Sequence, residues 1–317
     1  MTLYDSVRAI TAASGDGLID WTAVTEAAKA AVDAGELSLS PAARDGYARD
    51  VRDARARVGE VAGVDFDVPD TIEVQNRHHW IDANVATFER VMGTLEANGP
   101  NLAGLARVLN TGSMSVALAF LASNVLGQYD PLLLAESPSE THALYFVQPN
   151  IARVADELDV SEERFRRWIA FHEVTHAAEF GAAPWLPDHL EARMERSVEA
   201  LGDGKLDRQS FRELNAAMTA VEGYAELLMD RAFDDEYEDL REKVEARRRG
   251  RGPLFELVGR LLGIGMKRRQ YERGKAFFDY VVEARDIETA SLVWEVPENL
   301  PSDAEIDAPE TWLARVD

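Results

Sequence analysis

Within Phe171-His172-Glu173-Val174-Thr175-His176 the chain carries an H-E-x-x-H pentad. Residues four apart on an α-helix stand one turn apart on the same face, so His172 and His176 can bring two imidazole nitrogens to one metal ion. Glu173 stands about 100° further round the helix and can reach a water on that metal as general base. The chain has no cysteine. Thiolate ligands and a cysteine nucleophile are therefore excluded, and a zinc ion would have to be held by His, Asp and Glu. The competing reading is a chance pentad whose histidines are core residues bonded to carbonyls. A glutamate in the base position favours zinc.

A catalytic zinc takes three protein ligands and leaves a position for water. The longer H-E-x-x-H-x-x-G-x-x-H pattern would need Gly at 179 and His at 182, where this chain has Glu179 and Ala182. That class of third ligand fails. Two candidates remain. His189 follows the pentad beyond a Pro-rich turn. Glu222 falls inside the apolar stripe Phe211, Leu214, Met218, Val221, Ala225 and Met229 of a later helix, where a carboxylate is costly unless it is paired or bound to metal. Glu222 is favoured over His189; its alternative is a buried pair with an arginine such as Arg193. Glu226, one turn on, is placed either to hold the free N–H of a ligand histidine or simply to be solvated. Acyl transfer also needs a group to hold a developing oxyanion. Tyr271 and Tyr224 can donate a hydrogen bond and Arg269 can supply charge, although each is more commonly structural. Trp185 reads as core rather than as a specificity pocket. His78, His79 and His142 show no ligand spacing.

The pentad needs a helix to hold its spacing. Ser161 can cap one, Glu162 and Glu163 suit its positive end, and Gly181 and Pro184 end it. Phe165, Trp168, Ile169, His172, His176 and Phe180 recur at helical spacing, which places both histidines in the buried stripe. Helices are expected over 21–34, 41–61, 76–98 and 102–126, with a turn-rich break at 63–69. A loop covers 128–140, and a strand covers 143–148, ended by Pro149. Further helices are expected over 188–201, 207–231, 253–262 and 267–284. Residues 247–251 read as a solvated basic run, and Trp294 and Trp312 as docking points of an acidic tail. The expected fold class is mainly α with a small β-sheet (α+β). Residues 1–70 form a helical region packed on a body of residues 71–317.

Several blocks resemble a known family. They are Trp168-Ile169-Ala170 running into the pentad, Pro184-Trp185-Leu186, His189-Leu190, Val125-Leu126-Gly127-Gln128-Tyr129-Asp130, Pro149-Asn150-Ile151, Glu222-Gly223, and Lys267 with Arg269-Gln270-Tyr271 and Gly274. Together they resemble the zincin-like metallopeptidases of archaea and actinobacteria associated with biosynthesis of the deazaflavin coenzyme F-420, from about residue 76 to the C-terminus. The resemblance implies a zincin-like fold with the pentad on a central helix. It also implies His172, His176 and Glu222 as zinc ligands and Glu173 as base. The strand over 143–148 would be the edge that pairs with an extended peptide; the alternative is an ordinary internal strand. Relatives often carry His two residues after the third-ligand Glu, where this chain has Tyr224. Its hydroxyl either takes over that role or the activity is weakened. The expected function is a zinc metallopeptidase acting on peptides or small amides. The alternative is a non-catalytic zinc-binding interaction protein with a structural or vestigial site, which a fourth ligand at His189 would favour.

With 317 residues, 46% of them hydrophobic, the chain can build one large domain or two small ones. A net charge of −23 speaks against nucleic acid or an anionic membrane as partner. The most apolar stretch, 114–126, contains Ser115, Ser123 and Asn124 and is too short to span a bilayer. Met1-Thr2-Leu3-Tyr4-Asp5 has no signal-like core, so a cytoplasmic location is expected. The acids are dispersed, and lysine occurs only at 29, 205, 243, 267 and 275. That pattern suggests a cytoplasm of high salt, with an ordinary acidic soluble protein as the alternative. Thermal melts should accordingly show the melting temperature rising from low to molar potassium chloride, as screening removes repulsion among the acids. An unchanged or lower value at molar salt would contradict the halophilic reading.

Overall fold

The computed structural model describes residues 6, 9–11, 17–63, 66, 68–98, 104–130, 142–202, 207–233, 237–249 and 267–316. Helices begin where the sequence offers a cap. The side chains of Asp20, Ser40, Ser161 and Asp207 accept backbone N–H groups ahead of α1 (Trp21–Ala31), α2 (Pro41–Ala62), α6 (Glu162–Ala182) and α8 (Arg208–Ala232), satisfying donors that have no partner inside the helix. Between them run β1 (Thr71–Gln75), α3 (Arg77–Asn98), α4 (Gly104–Asn124), β2 (Gly127–Asp130), β3 (Ala143–Val147), α5 (Gln148–Glu157) and α7 (Leu186–Gly202). After α8 come α9 (Glu238–Arg249) and α10 (Lys267–Ala284). Short turns of helix then fold the acidic tail back, and Trp294 and Trp312 are buried in the core as docking points. The fold is therefore mainly helical with one small sheet, as expected.

In the sheet, the strand expected over 143–148 is the ordinary internal strand that was the alternative to a substrate-pairing edge. The sheet runs β1-β3-β2, with β1 parallel and β2 antiparallel to β3. The strand read from the sequence is thus the central one, and the edge beside the helical body is β2. Residues 127–130 were expected partly as loop. Gly-Gln-Tyr-Asp has weak intrinsic strand preference, and pairing with β3 makes it a strand. The rest of that expected loop, 131–141, lies outside the described residues, as does the helix expected over 253–262. Pro149 does not merely end a strand. It sits in the first turn of α5, where a missing N–H costs nothing. Arg247 to Arg249 close a helix, and Arg247 Nε donates to Glu157 at 3.0 Å.

Helix α6 is the axis of the main core. Phe165, Trp168, Ile169, Phe171, Val174 and Ala178 are buried there with residues of α2, α8 and α10. A second cluster packs α1, α3 and α4 around Trp80, Ile81 and Leu118. α2 belongs to the main core through Tyr47, Val51, Ala54, Val58 and Ala62. It is fixed to α6 by the buried pair Arg166 Nε to Asp50 Oδ2 at 2.7 Å.

α8 and α10 cross with backbones almost in contact. A Cβ on Gly223 would run into the backbone of Gly274, and one on Gly274 into the carbonyl of Thr219. Overpacking by one methyl typically costs about 1–3 kcal/mol, and backbone cannot yield as a side chain can. Gly274→Ala should destabilise by at least about that amount. Gly93→Ala in α3, where a Cβ meets nothing within 4 Å, should stabilise by roughly 0.5–1 kcal/mol. Denaturant unfolding of the two variants checks this, and equal effects would contradict the crossing.

Candidate metal centre

α6 is packed on nearly every side, and the strip carrying His172 and His176 is only half-buried. This corrects the expectation that both histidines lie in the buried stripe. The apolar residues make the stripe, and the histidines line a gap in it. Their rings stand edge to face with centroids 4.8 Å apart. Glu222, 3% exposed, reaches them from α8. One donor atom from each of His172, His176 and Glu222 lies within 4.8 Å of the others. Two ligands on a zinc bonded at about 2.0–2.2 Å can be at most about 4.4 Å apart, so the three donors are nearly drawn together already.

The surroundings suit a cation. His176 Nδ1 donates to Glu179 Oε2 at 2.9 Å, and the Glu179 side chain has no exposed surface. Burial works against a charged ring at His176. The hydrogen bond to Glu179 and the charges of Glu179, Glu222 and Glu173 outweigh it and push its pKa up to about 9. Burial raises the Glu179 carboxyl as well, so the two groups hold a proton between them. The negative potential that favours a proton on His176 would equally favour a metal ion among these ligands. Two nitrogens, one carboxylate oxygen and no sulfur are a donor set that zinc accepts.

Glu173 turns from this strip toward β2. Its Oε2 accepts the Tyr129 N–H at 2.9 Å. The Tyr129 ring packs on Phe180 with centroids 5.5 Å apart and stacks on His142 at 5.9 Å, and its hydroxyl pairs with His142 Nδ1 at 3.0 Å. Burial first, then the Asp130 charge, raises the Tyr129 phenol and keeps it protonated.

The other expected participants are placed as follows. His189 stands outside the donor group, its ring edge-on to Trp185 at 5.5 Å; burial, then Arg193, lowers its pKa to about 4. Arg193 pairs with Glu213 at 3.2 Å. Tyr224 is a core residue, wedged between Phe278 and Trp294, with its hydroxyl paired to Ser291 Oγ at 2.8 Å. That bond occupies the group expected to meet an oxyanion. Tyr271 and Arg269 fall on α10, and their side chains lie outside the described residues. The second nitrogen of His176 is held by Glu179. Sequence reasoning passed over Glu179, although its place three residues after His176 on the same helix was visible. It also passed over Gly127 and Tyr129, which stood within a resembling block but had no motif of their own, and set His142 aside for want of ligand spacing.

Partners of this kind typically change metal affinity about 10–100-fold. Zinc titration should therefore show Glu179→Ala weakened by roughly that factor. An unchanged affinity would contradict the assignment.

The zincin-like metallopeptidase family model matches residues 19–206 and 200–313. The match begins well before residue 76, where the resemblance of motif blocks sets in. No curated protein matches the chain. A crystal structure described as that of a candidate hydrolase with a novel fold, from Chloroflexus aurantiacus, is similar at 35% identity with a TM-score of 0.79. The similarity covers 94% of this chain and 99% of that one. With the family match running through α6, α8 and nearly all the rest, the chain belongs to the zincin-like metallopeptidase family.

Proposed function

We propose that the chain is a zinc-dependent peptidase that hydrolyses peptide bonds with Glu173 as general base. The observation carrying this reading is the convergence of His172, His176 and Glu222 on one side of α6, with the Glu173 carboxylate turned to the neighbouring strand edge. His189 lies apart, and among the described residues the set has three donors, as in a site that keeps a position for water. A fourth donor would have favoured a structural metal.

When bound, zinc supplies a Lewis acid that polarises a carbonyl and makes water acidic near neutral pH. The protein's own part is to hold the ion with His172, His176 and Glu222, and to fix the His176 ring through Glu179. Glu173 accepts a proton from the attacking water and delivers it to the leaving amine nitrogen. The N–H of Tyr129 keeps the carboxylate aimed.

The sheet supports a peptide over a small amide. Val147 N–H donates to Leu126 O at 2.9 Å, and Gln128 and Asp130 face Tyr145 and Ala143 in the same register. That phase turns the backbone groups of Gly127 and Tyr129 away from β3, toward the outer edge on which the Tyr129 N–H meets Glu173. An extended peptide can add to such an edge by backbone hydrogen bonds. The edge is β2, in place of the strand over 143–148. No helix among the described residues is long and apolar enough to cross a membrane. The dispersed acidic charge supports work in a cytoplasm of high salt. A place beside deazaflavin coenzyme biosynthesis rests on the resemblance of motif blocks.

Glu173→Gln should keep the zinc, because the amide has nearly the same size and is not a ligand. It should lose at least about a hundredfold in turnover of a peptide library in molar salt, since general-base help is typically worth 10²–10⁴-fold. Equal turnover in mutant and wild type would remove Glu173 from the base role.

A further inference from the structure

Gly127 opens β2 where the strand passes Glu173. A Cβ at residue 127 would stand 2.6 Å from Glu173 Cγ, 2.7 Å from Oε1 and 2.8 Å from Cδ. Two residues on, the Tyr129 N–H holds Oε2 at 2.9 Å. One carboxylate is thus bounded on both oxygens by the backbone of a single strand.

The strand is not free to retreat. On its other face, Gln128 Oε1 accepts from Trp80 Nε1 at 2.8 Å, and Gln128 Nε2 donates to Asn84 Oδ1 at 2.9 Å. On the near face the Tyr129 ring rests against Phe180 of α6. A methyl at 127 would have to displace the glutamate rather than the strand. Elsewhere in a strand, glycine is a poor choice because it adds backbone entropy and packs nothing. Replacing it by alanine would normally be neutral or stabilising.

We propose that Gly127 is a positioning residue for Glu173. Its missing side chain lets β2 close on the carboxylate, so the strand read as receiving substrate also sets where the proton acceptor sits. The catalytic consequence rests on the reading of Glu173 as base; the packing does not.

A double-mutant cycle separates the two. In thermal melts of the full-length protein at matched zinc content, Gly127→Ala should lower the melting temperature by at least about 2 °C. In a Glu173→Ala background, where the clashing atoms are gone, the same change should cost nothing or raise it. An equal penalty in both backgrounds, or no penalty in either, would overturn the proposal without touching the peptidase reading. In the zinc-loaded enzyme, Gly127→Ala should lower kcat about tenfold to a hundredfold with KM within about threefold. An unchanged kcat would overturn the catalytic part. A wild-type protein inactive on peptides, with the melting cycle as expected, would instead count against the peptidase reading.

Discussion

Three carboxylates are taken out of water beside one helix. Glu173, Glu179 and Glu222 are all buried, and all three act electrostatically on His176. A buried charge is costly unless something holds it. Glu179 is held by the His176 ring and Glu173 by a strand N–H. Glu222 shares its pocket with both pentad histidines, where a divalent cation would complete the balance. α6 has to lie at the centre, because only packing on several sides can enclose these groups while leaving the histidine strip half open.

The scaffold answers that constraint with close approaches. Glu222 can reach α6 because α8 is held at its far side by α10, at a crossing too tight for any side chain on Gly223 or Gly274. The crossing sits one residue from the ligand, so the spacing of two helices sets the reach of one carboxylate. α2 is fixed to α6 by Arg166 and Asp50, with the guanidinium over the Tyr47 ring at 5.2 Å. Such a pair adds little net stability, but losing one partner strands the other charge. It fixes where the first half of α6 lies.

Much of this was legible in the sequence. The pentad spacing, the Ser161 cap and the carboxylate inside an apolar stripe each have a local physical reason, and His172, His176 and Glu222 do meet. The edge strand was not legible. Gly127 to Asp130 has no alternation and only four residues, and it becomes a strand through pairing with residues more than a dozen positions away. Glu179 was missed because it was weighed only as a failed glycine of a longer motif. Tyr224 was placed at the site because its hydroxyl can donate and because relatives often carry His there, two residues after the third-ligand Glu, but on a helix residues two apart point in different directions. Its hydroxyl turns to Ser291 in the tail. The glycines at 127, 223 and 274 were visible only as parts of resembling blocks. What each makes room for is a tertiary contact.

The most direct test of the three-donor centre is X-ray absorption at the zinc edge of the purified full-length protein, with and without a hydroxamate. A four-coordinate shell of nitrogen and oxygen at about 2.0–2.1 Å is expected, with scattering from two imidazoles and one position exchanged by the hydroxamate. A shell containing a third imidazole, a closed shell the hydroxamate leaves unchanged, or a protein that binds no zinc would contradict an open site built from His172, His176 and Glu222.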